Sequence, residues 1–180
     1  GDIPVAISFQ ATKVFCTGEG GAVACLDSEI LQRSQQSLNF GFVQSRTSTI
    51  PGTNGKMSEY HAAVGLAEMD GWAAKRSAYR NVAATYRALA ERHGLSDRIF
   101  LAPAVGANYA LFEAPDVAAA DRAMRAMTDR GIGHRLWYGL GLHDQPYLAG
   151  KPRDALANTD SLSPRLIGIP VSVDMTQADI

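Results

Sequence analysis

Lys13 is the residue around which chemistry can be built. It follows a short apolar run, Val5-Ala6-Ile7-Ser8-Phe9, and precedes a turn rich in glycine, Gly18-Glu19-Gly20-Gly21. Lysine is strongly hydrated, and apolar company favours its uncharged amine, the form that attacks an aldehyde to make a Schiff base. The competing reading is a strand-end lysine that reaches for water, and on spacing alone that reading is the simpler. The glycine turn is neither G-x-G-x-x-G nor a Walker loop, so by itself it reads as a tight turn between two strands.

The elements that must position Lys13 follow from the pattern around it. Residues 5–9 read as a short buried strand and Ala22 to Leu26 as a second. Asp27 or Ser28 caps a helix running to about Asn39. Residues 40–54, with Pro51-Gly52, read as a long loop of the kind that is functional or disordered. Helix resumes at Ser58, with Tyr60, Val64 and Ala67 on one face and a bend expected at Asp70-Gly71. A further helix carries Trp72, Tyr79, Val82, Tyr86 and Leu89 as its apolar stripe and ends at Gly94. Ile99 to Leu101, Tyr109 to Phe112 and Gly133 to Tyr138 read as strands. Between the last two, Asp116 caps a helix with Val117, Ala120, Met124 and Met127 inward and Gly131 at its close. Together these form a small α+β unit.

Composition bounds the classes. The chain has 180 residues, a formal net charge of −1 and 46% apolar residues, which is ordinary for a globular chain. A near-neutral balance offers no electrostatic reason for a nucleic-acid or anionic-membrane partner, and no apolar run is long enough to span a bilayer. Gly1 to Pro4 lack the basic and apolar regions of a signal peptide. Cys16 and Cys25 match no zinc pattern and make a poor disulfide framework, so a reduced, cytoplasmic setting is expected. The first strand starts almost at residue 1, and Thr176 with Asp179 reads as a helix start just before the last residue. Both ends are therefore expected to be cut.

The stretch Ser8-Phe9-Gln10-Ala11-Thr12-Lys13 through Gly18-Glu19-Gly20-Gly21 resembles the S-F-x-x-x-K-x-x-x-x-G-E-G-G signature of the DegT/DnrJ/EryC1/StrS sugar aminotransferases. Four further pieces follow in the family's order: Asn39-Phe40-Gly41-Phe42; Gly52 to Glu59 with Ala62 to Leu66; Trp137-Tyr138 with His143 and Gln145-Pro146; and Leu166 to Pro170. The resemblance implies an α/β fold. Residues 1–71 would be part of the large domain of a pyridoxal-phosphate (PLP) transferase of fold type I. Residues 72–180 would be a linking helix and a small C-terminal α+β domain.

It also implies roles. Lys13 would bond to the pyridoxal 5'-phosphate aldehyde and shuttle the catalytic proton. Ser8 would bind the cofactor phosphate, and Asn54 would reach the phosphate held by the neighbouring subunit of a homodimer with shared sites. Lys56, where the family has Arg or Lys, would help with anionic groups. The substrates implied are a nucleotide-linked keto-sugar, such as a dTDP-4-keto-6-deoxyhexose, and an amino donor, glutamate. Family members carry the aspartate partner of the pyridine nitrogen in a preceding half, so the chain alone is expected not to turn over. A PMP-dependent dehydratase of the same family would have histidine in place of Lys13. A non-catalytic module that keeps only the fold is the alternative from another class. Glu19 is expected to be a turn residue, His61 packed or on the surface, and Cys16 a small buried hydrophobe; His143 matches a family histidine near the substrate region but reads by itself as polar surface, and Trp137 and Tyr138 read as packing of the small domain, with lining of the sugar-nucleotide site as the alternative.

Overall fold

Capping aspartates and glycine stops set several helix ends, and pairing between distant residues sets the sheet. The computed structural model describes residues 3–102 and 107–180; Gly1 and Asp2, part of the leader reading, lie outside them. The chain divides into two compact units, Gly1–Ala73 and Ala74–Ile180.

In the first unit, β1 (Val5–Ser8) and β2 (Gly21–Ala24) form an antiparallel hairpin, with Ser8 opposite Gly21. The strands are where the pattern puts them, but they are exposed rather than buried. Each has only the other as a partner among the described residues, so neither face is covered as a wider sheet's would be. Asp27 caps α1 (Ser28–Ser37), its Oδ1 accepting from the Glu29 and Ile30 amides at 2.8 and 3.3 Å.

The expected bend at Asp70-Gly71 is absent. α2 runs unbroken from Glu59 to Arg92, its first turns in the first unit and the remainder in the second. Glycine weakens a helix by only about 1 kcal/mol and keeps its N–H, so two flanking turns with good formers carry the ladder through it. The face of the first turns also differs from expectation. Tyr60 is 77% exposed, and the buried position is Gly65, whose missing side chain lets Thr17 approach; a Cβ there would lie 3.1 Å from Thr17 Cγ2.

α2 ends as read. Gly94 takes a left-handed backbone (φ +66°), and the Leu95 amide returns to the Ala90 carbonyl at 2.7 Å, the Schellman arrangement. The second unit then builds a four-stranded antiparallel sheet from β3 (Ile99–Phe100), β4 (Tyr109–Glu113), β5 (Arg135–Leu136) and β6 (Leu166–Pro170), in the order β3-β4-β6-β5. Because β4 and β5 both run against β6, they are parallel to each other with β6 inserted between them, a split β-α-β. The crossover is α3 (Val117–Asp129), capped by Asp116. Ala120, Met124 and Met127 pack into a core with Ala114 and Ile167, whereas Val117 is half-exposed. A short α4 (Ala157–Leu162) precedes β6. Thr176 and Asp179 form the expected cap, with the Thr176 amide and hydroxyl both on Asp179 Oδ2 at 2.7 Å, but a turn rather than a helix follows.

Within this unit, Tyr79, Val82, Ala83, Tyr86 and Ala90 of α2 are buried. The Tyr86 hydroxyl donates to the Pro170 carbonyl at 2.7 Å, and burial raises its pKa above the ordinary 10.0. Tyr86→Phe removes that donor and is expected to cost about 0.5–1.5 kcal/mol in urea unfolding at pH 7. The pH dependence has a definite sign. Above pH 10.0 the unfolded chain loses this proton before the folded one does. Native stability is therefore whole below that pH and falls as pH rises through it. The fall should be shallower in Tyr86→Phe.

Candidate functional site

The hairpin continues past its strands as a closed turn. Phe9 and Ala11 amides donate to the Gly20 and Gly18 carbonyls at 2.9 and 2.7 Å, and the Thr17 amide donates back to Phe9 at 2.8 Å. Thr17 is buried, its hydroxyl donating to the Glu19 carbonyl at 2.8 Å. Lys13 sits at the tip with its amide on the Gln10 carbonyl at 2.8 Å. Aromatic contacts clamp the tip: Phe9 on Phe15 at 5.3 Å and Phe15 edge-on to Trp72 of α2 at 5.5 Å between centroids. The turn is thus held from behind, and Lys13 projects from it.

Lys13 is exposed, not enclosed by apolar side chains as its sequence neighbours suggest; a tip that stands out from a two-stranded hairpin has nothing described in front of it. Its amine has no hydrogen-bond or ion-pair partner among the described residues. Ser8, also exposed, closes β1 five residues earlier. Its oxygen accepts a long bond from the Gln10 amide, 3.4 Å, which leaves its proton free to donate. One primary amine and one free hydroxyl donor on a single rigid hairpin form a donor set that suits a ligand with an aldehyde and a phosphate.

Asn54 is placed elsewhere. It lies on the return limb of the loop between α1 and α2, in a backbone bridge with Asn39. The loop is far more organised than its composition suggests. Its ends are sewn together by the Phe40 amide on Thr53 (3.0 Å), Thr53 on Ser37 (2.8 Å) and Gly55 on Leu38 (2.9 Å). Gln36 anchors the inside: buried, it donates through Nε2 to the Gly41 carbonyl at 2.9 Å and to Thr49 Oγ1 at 2.7 Å. Gly41 has φ +78°, and a Cβ there would overlap the Ile50 carbonyl oxygen and Ser48 Oγ. Gln36 carries no signal in sequence, because a polar residue in an amphipathic helix reads as solvent-facing.

A cavity of about 1050 Å³ opens beside this loop, lined by Gly20, Gln35, Asn39, Lys56, Ser58 and His61 among others, but not by Lys13, Ser8 or Asn54. His61 is half-buried, with Nδ1 3.0 Å from Ser58 Oγ, the residue before α2. Glu19 is an exposed turn residue and Cys16 is half-buried.

In the second unit the His143 side chain is only 8% exposed, with Nε2 2.7 Å from Asp160 Oδ1. The expectation of a loose surface histidine is corrected: the carboxylate on α4 gives the imidazole a partner, and the turn after Gly141 folds the ring inward. Trp137 packs as expected, edge-on to Tyr109 at 5.2 Å. Tyr138 does not; it is 68% exposed with a left-handed backbone, φ 58°. Among the described residues there is no group of three or more His, Cys, Asp or Glu side chains that could hold a metal ion, and no helix is long and apolar enough to cross a membrane.

Comparison with known proteins covers nearly the whole chain. Residues 2–180 match the profile of the DegT/DnrJ/EryC1/StrS aminotransferase family. The chain is 31% identical to Protein Rv3402c of Mycobacterium tuberculosis over 179 residues, 96% of this chain and 43% of that one. It is 30% identical to the dTDP-3-amino-3,4,6-trideoxy-alpha-D-glucose transaminase of Streptomyces venezuelae over 178 residues, 95% of this chain and 46% of that one. The crystal structure of a Bacillus cereus protein assigned as a PLP-dependent aminotransferase superposes with a TM-score of 0.88 at 28% identity, covering 98% of this chain and 49% of that one. The chain thus spans about half the length of the relatives it matches.

Proposed function

The chain belongs to the DegT/DnrJ/EryC1/StrS aminotransferase family, and we propose that it is the lysine-bearing half of an enzyme that transfers an amino group to a nucleotide-linked keto-sugar. The observation that carries this is the free amine of Lys13 and the free hydroxyl of Ser8 on one clamped hairpin. The Streptomyces venezuelae relative, named as a transaminase of a dTDP-linked amino sugar, supports the substrate class. Glutamate is the proposed donor, and a cytoplasmic homodimer the proposed state.

Lys13 would hold the aldehyde carbon of pyridoxal phosphate covalently and Ser8 its phosphate. Asn54 would serve the phosphate of the neighbouring subunit's cofactor, since its loop is closed on itself and presents the residue outward, exposed. When bound, the cofactor supplies an electron sink for the carbon whose proton is moved. Once the amine of the donor has displaced it from the aldehyde carbon, Lys13 would carry that proton at Nζ, taking it from one carbon and returning it to the other. The clamp behind the tip fixes the backbone from which Lys13 reaches. Exposure in this chain fits a site completed by other walls: the relatives are about twice as long, and the 180-residue chain alone is expected to show no turnover.

Borohydride reduction of the full-length protein loaded with pyridoxal phosphate, followed by peptide mapping, tests the reading. The expected product carries the pyridoxyl group on Lys13, and Lys13→Arg carries none. A label on another lysine, or none at all, would sink the proposal.

A further inference from the structure

Phe40 is built at a cost. Its φ of 57° lies in the left-handed region, which a bulky side chain rarely enters, and such strain persists only where the surroundings impose it. Burial does not offset it, because the residue is 44% exposed. The loop could turn here with a glycine, as it does one residue later at Gly41.

The ring meets Phe42, with centroids 5.8 Å apart, and Lys56. The ammonium stands over its face, 4.4 Å from the centroid, and donates to Asn39 Oδ1 at 3.2 Å. Asn39 is also the bridge partner of Asn54. Residues opposite each other in an antiparallel bridge point to the same side, as do residues two apart on an extended segment. Asn39 thus links the two: it stands opposite Asn54 across the bridge and accepts from Lys56 two residues further on.

We propose that Phe40 is a positioning residue: its ring holds the Lys56 ammonium beside the Asn54 amide, so that cation and amide donor are presented together to one phosphate group. This rests on the reading in which Asn54 serves the cofactor phosphate. A free lysine loses rotamer freedom when it meets an anion, and one already held against a ring and an amide oxygen loses less. The left-handed backbone at residue 40 is what turns the ring under the ammonium.

The test compares binding of pyridoxal phosphate and of pyridoxal, which lacks the phosphate, by equilibrium dialysis of the full-length protein. Phe40→Leu keeps bulk but removes the π face. It is expected to weaken pyridoxal phosphate binding by about two- to fivefold, the range of an exposed cation–π contact, and to leave pyridoxal binding unchanged. Phe40→Tyr should restore the affinity. In a Lys56→Met background Phe40→Leu should change nothing further. Phe40→Gly, which relieves the backbone, guards against a folding defect and should lose the same phosphate-specific affinity.

Wild-type affinity for pyridoxal phosphate in the Leu and Gly variants would overturn the proposal. So would an equal loss for pyridoxal, since that marks a general disturbance of the site. The Asn54→Ala variant separates the two readings. If it erases the preference for the phosphorylated ligand while Phe40→Leu does not, only the positioning role fails. If it leaves the preference intact, the placement of Asn54 at the phosphate fails, and this inference with it.

Discussion

Replacing Lys13 by Ala in the full-length protein should lower amino transfer to a nucleotide-linked keto-sugar by about 10²–10⁴-fold, the range of a lost general acid–base group, or more if the covalent hold is also rate-determining. Lys13→Arg should lose as much, because a guanidinium keeps the charge but cannot release the proton. Neither change should alter the unfolding midpoint of the cofactor-free 180-residue chain appreciably. Lys13 is exposed, and exposed substitutions away from packing features stay within about 0.5 kcal/mol. Steady-state kinetics beside urea unfolding separates the two effects. Turnover within tenfold of wild type in Lys13→Ala would remove the residue from the chemistry. Added methylamine, by supplying a diffusible amine, should recover part of the rate in the Ala variant.

The second large effect is structural and falls on the loop that carries Asn54. Gly41→Ala places a methyl group at φ +78°, directly into the Ile50 carbonyl oxygen and Ser48 Oγ. A left-handed non-glycine residue costs about 1–2 kcal/mol and overpacking about 1–3 kcal/mol. Because the clash is with backbone, little relaxation is available, and a loss near 3 kcal/mol is expected. The Gly41 carbonyl would also be pushed off Gln36 Nε2, which it meets at 2.9 Å. Hydrogen exchange should report the result locally: the amides of Phe40, Thr53 and Gly55, whose bonds sew the loop, should lose protection while Leu95 and Ile132 keep theirs. Uniform loss of protection, or none, would contradict the picture of a loop closed on its own ends.

The contrast between these two positions shows where sequence reasoning reaches. Lys13 was found through a pattern of residue types around it, and its setting between two strands followed from the apolar runs and the glycine turn. Its exposure did not follow, because whether an apolar neighbour in sequence is also a wall in space depends on what packs in front. Asp27, Asp116, Gly94 and Gly131 announced helix ends correctly, since a cap needs only atoms within a few residues. The bend at Gly71 was wrong for the complementary reason: a local weakness of about 1 kcal/mol is overruled when good formers continue on both sides. His143 seemed a loose polar residue because Asp160, its partner, lies seventeen positions away.

Residue order alone therefore determined the family, the strand–turn–strand that bears Lys13, the caps of the helices and the helix–strand alternation of the second unit. The family rests on five motifs in order along the chain, and the other features on chemistry among residues close in sequence. Tertiary structure alone decided that β6 sits between β4 and β5, that Gln36 is buried as the anchor of a closed loop, and that Phe40, with a left-handed backbone, lies under Lys56. Each of those depends on a hydrogen bond or contact between residues far apart in sequence, and such a contact has no energy until the chain has folded to bring its two sides together.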